Sequence, residues 1–144
     1  MKKIGLAILG LMLIIFLFMA YQNGKTPHVG IVNGQLTELK DRPNGVSSQT
    51  SFDEKRVDPF LAHEKSMAII EKIIVEFRGL VVSKESNYVH VIFTTRAGFR
   101  DDVEFYIKEN FVHYRSQSRV GYGDMNKNLE RYLEIKDFYN QFLD

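Results

Sequence analysis

The chain contains no cysteine. Its 144 residues therefore form no disulfide, and they carry no thiol nucleophile, no cysteine zinc site and no cysteine for lipid attachment. A chain without thiols is compatible with an oxidising or a reducing compartment, so this absence does not decide the location. The four histidines are scattered, and none has a second histidine four residues away: His28, His63, His90 and His113. The sequence therefore predicts no histidine metal site, and we expect no cofactor.

The chain also lacks an excess of charge of either sign. Lys2 and Lys3 account for two of the 19 basic residues, so 17 basic and 18 acidic residues remain for the rest of the chain. Such a balance gives no general attraction to nucleic acid or to acidic membranes. We therefore predict no nucleic-acid partner, and we expect any anion site to be local.

One long apolar segment opens the chain. From Ile4 to Tyr21, 18 residues pass without a charge, and as a helix they would span about 27 Å, close to the hydrocarbon thickness of a bilayer. A cleavable signal peptide is the alternative, but its apolar core is shorter, and a cut after Ala20 would place bulky Phe18 where a small residue belongs. We predict an uncleaved signal-anchor over residues 1–21.

The two lysines before this segment predict its orientation, because positive charge favours the cytoplasmic side. The N-terminus would then be cytoplasmic, and the C-terminal part would lie outside the cytoplasmic membrane. Residues 22–41 are polar, contain three glycines and show no sustained period, so we interpret them as a linker. Residues 42–144 are predicted to form the folded domain.

An amphipathic helix is predicted near the start of this domain. Asp58 and Pro59 are suited to its N-cap and first helical position, and Gly79 is suited to its end. Apolar residues recur between them at helical spacing: Met67, Ile70, Ile74 and Phe77. A second amphipathic helix is predicted from Leu129 to Phe142, so that one helix precedes the β-rich region and one follows it.

Four strands are predicted between these helices, over residues 80–84, 88–95, 101–108 and 111–118. A two-residue turn that pairs Lys108 with Phe111 also sets the register of the last two strands. On one face it pairs apolar residues, Ile107 with Val112 and Phe105 with Tyr114; on the other it pairs Glu104 with Arg115 and Asp102 with Gln117. The predicted fold class is α+β: a four-stranded antiparallel meander sheet with two helices packed on one face, preceded by a transmembrane helix.

Chemically capable side chains are densest between residues 99 and 131. Asp102 and Glu104 share a strand face about 7 Å apart, which is compatible with an acid/base pair. However, the register places Arg115 opposite Glu104. We therefore interpret Glu104 and Arg115 as an exposed structural ion pair, worth about 0–1 kcal/mol.

Two serines in the same stretch lack the setting of a nucleophile. Neither Ser116 nor Ser118 lies in a GxSxG elbow. His113 falls on the opposite face of the strand from both hydroxyls. We predict no catalytic residue.

A partial calcium-loop pattern follows the last strand. Asp124, Asn126 and Asn128 copy its first three ligand positions, but Leu129 and Ile135 replace the required glycine and glutamate. Helix N-capping explains the same polar residues, so no metal site is predicted.

The candidate ligand site is a group of arginines around a glycine corner. Arg115 and Arg119 share a strand face, and Arg131 would fold back over the corner at Gly121 and Asp124. Together they would clamp a phosphate or carboxylate through paired hydrogen bonds. The alternative is a structural network in which the nearby acids neutralise all three arginines.

Three runs in the chain resemble the DUF1499 family, a conserved domain of unassigned function: PNGVSSQ at residues 43–49, DDVEF at 101–105 and YRSQSRVGYGD at 114–124. The resemblance extends from about Pro43 to Phe142. Many members carry cysteine where this chain has Gly45, so any role tied to that cysteine is absent here. The resemblance implies a single compact domain, often attached to a membrane, with no established activity.

These observations favour a membrane-anchored, non-enzymatic domain of the cell envelope that binds an anionic small molecule or an envelope protein. One alternative is an envelope hydrolase that uses Asp102 or Glu104 with Arg119. Another is a purely structural assembly domain that uses the sheet face or an edge strand.

Overall fold

The computed structural model describes residues 2–143, with side chains from residue 4 onward. Within that range the chain forms three α-helices, eight β-strands and a short 3-10 helix at Asp53–Lys55. The helices and strands are α1 (Lys2–Gly24), β1 (Ile31–Val32), β2 (Gln35–Leu36), β3 (Gly45–Ser47), β4 (Phe60–Leu61), α2 (Ser66–Glu76), β5 (Leu80–Lys84), β6 (Tyr88–Thr94), β7 (Arg100–Lys108), β8 (Phe111–Ser118) and α3 (Lys127–Asn140).

Six strands form one antiparallel sheet in the order β3-β8-β7-β6-β5, with β4 as a further neighbour of β8. Strands β5 to β8 are the predicted meander, but the prediction of four strands is wrong. Strands β3 and β4 add to the edge of β8 and have only three and two residues. Segments this short carry no readable alternation of apolar and polar residues.

The predicted register of β7 and β8 is confirmed. Ile107 lies opposite Val112, and Glu104 lies opposite Arg115. In the two-residue turn between the strands, Glu109 takes a positive φ of 55°. The alternation therefore assigns each side chain of this hairpin to its face.

Both α2 and α3 cover the same face of the sheet and form the main core with it. Residues of this core are Ile70, Ile73, Val91, Val103, Phe105, Tyr114, Ile135 and Tyr139. All of them are buried, as an apolar layer between helices and a sheet requires.

The predicted start of α2 at Asp58 and Pro59 is wrong, because the helix begins at Ser66. Phe60 instead pairs with Val112 in the sheet and is 2% exposed. Its ring centroid lies 5.1 to 5.9 Å from those of three tyrosines: Tyr114, Tyr132 and Tyr139. Burying this aromatic ring in the core outweighs the local helix-start signal.

Residues 25–41, which we call the strap, lie over the other face of the sheet. Leu36 is buried there against Tyr88 and Tyr106, and β1 and β2 form a small hairpin within the strap. The face that was expected to be exposed is therefore buried. Whether a domain boundary falls at residue 42 stays a prediction, but residues within the predicted linker, 22–41, do pack on the sheet.

Helix α1 is exposed along most of its length. Its segment Ile4–Gly24 has a mean hydropathy of 2.7 and is long enough to cross a membrane. Length and composition of this kind fit both a membrane anchor and a signal sequence.

Candidate functional site

A buried ion pair lies beneath the strap, between Asp102 on β7 and Arg119 just after β8. The Arg119 Nε and Nη2 atoms each lie 2.8 Å from an Asp102 carboxylate oxygen, and His90 Nε2 lies 2.8 Å from Oδ1. Burial raises the pKa of Asp102, but the hydrogen bonds from Arg119 and His90 outweigh it and hold this pKa below its ordinary value. The carboxylate is therefore held ionised by its neighbours and is 1% exposed.

A second buried pair lies beside the first on the same face. Arg115 Nη1 donates to Glu104 Oε2 at 3.0 Å, and Arg115 Nη2 donates to Gln117 Oε1 at 2.9 Å. The Tyr88 hydroxyl donates to the other oxygen of Glu104 at 2.7 Å. Burial raises the pKa of Glu104 above its ordinary value, and attraction to Arg115 offsets this only in part. The pair is structural and fully desolvated, whereas the sequence suggested an exposed one.

The third arginine lies on the opposite face of the sheet. Arg131 Nη2 donates to Asp101 Oδ2 at 2.7 Å, and Arg131 Nη1 donates to Asn128 Oδ1 at 3.0 Å. The Ser118 hydroxyl donates to the same aspartate at 2.5 Å. Side chains alternate between the two faces along a strand. Asp101 and Ser118 are each adjacent in sequence to a residue that faces the strap, so they point to the other face, toward α3.

The structure therefore does not bring the predicted arginine clamp together. Arg115 and Arg119 face the strap, while Arg131 projects from α3 onto the opposite face of the sheet. Gly121 forms the corner with a φ of 87°. Asp124 accepts hydrogen bonds from the backbone N–H groups at the start of α3, at 3.1 and 2.9 Å, which is a helix-capping role.

Asn44 is a central residue that sequence reasoning missed. It is 1% exposed, and its Nδ2 atom donates to the Gly121 carbonyl oxygen at 3.0 Å. Its Oδ1 atom accepts from Gln117 Nε2 at 3.1 Å, and its backbone carbonyl accepts from Asn128 Nδ2 at 3.0 Å. Asn44 thus joins the networks of both faces. Its only signal in the sequence was its place in the PNGVSSQ run that resembles the family.

A cavity of about 300 Å³ opens at the glycine corner. It borders Gly45 and Asp124, and the charged residues around it include Asp41, Glu54 and Lys55. Lys55 is itself paired with Asp41 at 3.2 Å. Acids therefore outnumber bases at this opening, which does not favour an anion there.

A smaller cavity of about 140 Å³ lies between the strap and the sheet. Arg115, Arg119 and Lys40 are among its lining residues. The Arg115 Nε atom is buried and has no hydrogen-bond partner among the described residues. It is the one guanidinium nitrogen of Arg115 and Arg119 that has no hydrogen-bond partner among the described residues.

The carboxylates and serines that were considered as catalytic groups are buried and already have partners. Asp102 and Glu104 are 1% and 0% exposed and already hold cations. Ser116 and Ser118 are buried and hydrogen-bonded to neighbours. Within residues 2–143, no three histidine, aspartate or glutamate side chains come together as a metal site requires.

Comparison with known proteins gives one match. The model of the family described as "Protein of unknown function (DUF1499)" matches residues 35–139. No curated protein matches the chain, and no solved structure matches it. The matched part begins at β2, within the strap, and runs almost to the end of α3. The chain therefore belongs to the DUF1499 family of proteins of unknown function.

Proposed function

We propose that this chain is a membrane-anchored, non-enzymatic interaction module of the cell envelope, and that it binds a partner protein along the free edge of β5. Helix α1 supports the anchoring, because its apolar segment has the length of a membrane span. The two lysines before it support an N-terminus in the cytoplasm and a folded domain outside the cytoplasmic membrane.

The pairing of the acids and arginines supports a binding role over an enzymatic one. A hydrolase that used Asp102 or Glu104 with Arg119 would need these groups to reach a substrate. Each carboxylate instead lies under the strap with an arginine partner within 3.0 Å. Breaking such a buried pair is costly, so the geometry favours a scaffold that presents a surface.

The edge of β5 carries this proposal. β5 is the last strand of the sheet order, and no strand among the described residues pairs with its outer side. Its first three side chains are apolar and exposed by 66%, 45% and 40%: Leu80, Val81 and Val82. Unpaired backbone groups with apolar side chains favour the addition of a strand from another protein.

Site-specific photocrosslinking of the full chain in its native membrane tests the proposal. A photoreactive residue at Val82 should give one discrete adduct with a partner protein, whereas the same residue at Leu133, which is 51% exposed on α3, should not. Leu80→Lys should abolish the Val82 adduct, and Leu133→Lys should leave it unchanged. The absence of an adduct at Val82 would overturn the proposal, and an adduct of twice the chain's mass would replace the partner with a second copy.

Arg115 Nε favours a second candidate function, the binding of a small anionic group. Arg115 lines the cavity under the strap, and its buried Nε atom has no hydrogen-bond partner among the described residues. A carboxylate or phosphate oxygen there would accept a charge-assisted hydrogen bond. Native mass spectrometry of the full chain in detergent should then detect a retained anion, and a bare mass would argue against this candidate.

A further inference from the structure

The junction between α1 and the domain is held by hydrogen bonds. The Asn23 side chain donates to the Gly98 carbonyl oxygen and accepts from the Arg100 backbone N–H, both at 2.8 Å. Arg119 Nη1 donates to the Asn23 carbonyl oxygen at 3.2 Å. Arg119 is fixed in turn by its two bonds to Asp102. These bonds fix the position of the domain relative to the end of α1, so the two are not joined by a flexible linker.

In this position, two loops of the domain lie beside the last turns of α1. Met19 lines a cavity of about 540 Å³ together with the loops 95–99 and 120–127. Met19 precedes the end of α1 at Gly24 by five residues, which corresponds to about 7.5 Å along the helix axis. If Ile4–Gly24 spans the membrane, both loops reach the boundary between headgroups and acyl chains.

The side chains of these loops suit that boundary. Phe99 and Met125 line the cavity and are 45% and 86% exposed. Arg96 is exposed at the same cavity, and Arg42 lines a neighbouring cavity on the α1 surface. Apolar side chains flanked by basic ones are typical of protein surfaces that enter the headgroup region.

Of the two acids that line this cavity, one is neutralised. Asp101 forms an ion pair with Arg131 and accepts from the Ser118 hydroxyl. Asp124 keeps its negative charge, but its oxygens are turned to the start of α3, where they accept from Asn128. Two basic residues, Arg96 and Lys127, line the same cavity and outnumber this one unneutralised acid.

We infer that the loops 95–99 and 120–127 are seated in the same bilayer as α1, with Phe99 and Met125 among the acyl chains and Arg96 and Arg42 at the phosphates. This inference rests on the anchoring part of the proposed function and is independent of the β5 edge. The membrane then covers an apolar surface of the domain, and the orientation of the β5 edge relative to the bilayer follows from the α1 junction.

Single-cysteine labelling tests the inference, because the chain has no cysteine of its own. Four variants of the full chain carry an environment-sensitive fluorophore in vesicles of phosphatidylcholine and phosphatidylglycerol, with and without doxyl-labelled phospholipid: Phe99→Cys, Met125→Cys, Met12→Cys and Leu133→Cys. The first two labels should emit at short wavelength and be strongly quenched by the doxyl lipid, like the helix label at Met12. The label at Leu133 should emit as in water and stay unquenched.

The outcomes separate the inference from the anchoring on which it rests. Quenching at Met12 alone, with labels at Phe99 and Met125 in water, would overturn the loop docking and leave the anchoring standing. Short-wavelength emission at both loops without quenching would mean that a second copy or another protein covers them, which also overturns the docking. An unquenched label at Met12 would remove the anchoring and the docking together, while the β5 crosslink would still be tested separately.

Discussion

Arg115→Met should destabilise the protein in a way that depends on pH. At the observed 3.0 Å, the attraction between Arg115 and Glu104 is about 5–6 kcal/mol for an effective dielectric constant of about 20. Methionine keeps most of the apolar stem of the arginine and removes the charge. Glu104, which is 0% exposed, is then left as a buried carboxylate with only the Tyr88 hydroxyl as partner.

Protonation limits the cost of this change. At pH 7, protonating a carboxyl whose ordinary pKa is 4.5 costs about 3.4 kcal/mol, at 1.36 kcal/mol per pKa unit. Because the pKa of Glu104 is already raised in the wild type, part of this cost is present before the change, and we expect a loss of at most about 3–4 kcal/mol in the free energy of unfolding at pH 7. This is a large fraction of the roughly 5–15 kcal/mol that stabilises a typical domain.

The sign of the pH dependence follows from the raised pKa of Glu104. A carboxyl whose pKa is raised by folding stabilises the folded state below its unfolded pKa and loses that contribution as the pH rises. Removing the guanidinium should raise this pKa further, so wild type and variant lose stability in parallel just above pH 4.5 and diverge by about 1.4 kcal/mol per unit only above the folded pKa of the wild type. The penalty of Arg115→Met should therefore shrink as the pH falls from 7 and be smallest near pH 4.5. Near pH 4.5 only the lost hydrogen bond to Gln117 should remain, worth about 1 kcal/mol.

Urea unfolding of the full chain in detergent, followed by the near-ultraviolet circular dichroism of its tyrosines, measures these values. The matched control is Lys84→Met, because its partner Glu71 is about half exposed and such a pair contributes only about 0–1 kcal/mol. A penalty for Arg115→Met below about 1 kcal/mol at pH 7, or one that does not change with pH, would refute the buried pair. In Glu104→Gln/Arg115→Met the penalty should be smaller than the sum of the single changes.

Two further predictions concern Asp102 and Gly45. Folding lowers the pKa of Asp102, so the stabilisation from its ionised form is complete above the ordinary pKa of 3.8 and is lost as the pH falls through the folded pKa. Urea midpoints should therefore fall less steeply between pH 5 and pH 2 in Asp102→Asn than in the wild type. Equal slopes would contradict this. A Cβ at Gly45 would lie 2.7 Å from the Ser116 carbonyl oxygen, so Gly45→Ala should lower the free energy of unfolding by about 1–3 kcal/mol. The control is Gly123→Ala, whose Cβ would meet nothing nearer than 3.7 Å and which should change the free energy of unfolding by less than about 0.5 kcal/mol. If Gly45→Ala were as mild as this control, the close contact at Gly45 would be contradicted.

Features with a local cause were predictable from the sequence. The β7–β8 hairpin follows from strict alternation and a two-residue turn, so its register was confirmed residue by residue. The apolar stripe of α2 likewise placed Ile70 and Ile74 in the core. In each case the side chains that determine the element lie within a few residues of one another.

Features that depend on distant partners were not predictable in this way. Phe60 follows a good helix-start signal, but an aromatic pocket built from β8 and α3 draws it into the sheet. The five residues after it therefore stay outside the helix until Ser66. Strands β3 and β4 exist only because β8 offers a free edge to them.

The arginine group shows the same division. Strand alternation by itself placed Arg115 and Arg119 on one face and set Glu104 opposite Arg115. Only the tertiary structure decided that this face is buried, because the strap crosses it and Lys40 is bound through both its N–H and its carbonyl to Gln117, 77 positions later. It also placed Arg131 on the opposite face, since the corner at Gly121 sends α3 back over the helix side of the sheet. The two-residue alternation of a strand predicts which side chains share a face. What covers that face depends on segments that are distant in the sequence, and the alternation carries no information about them.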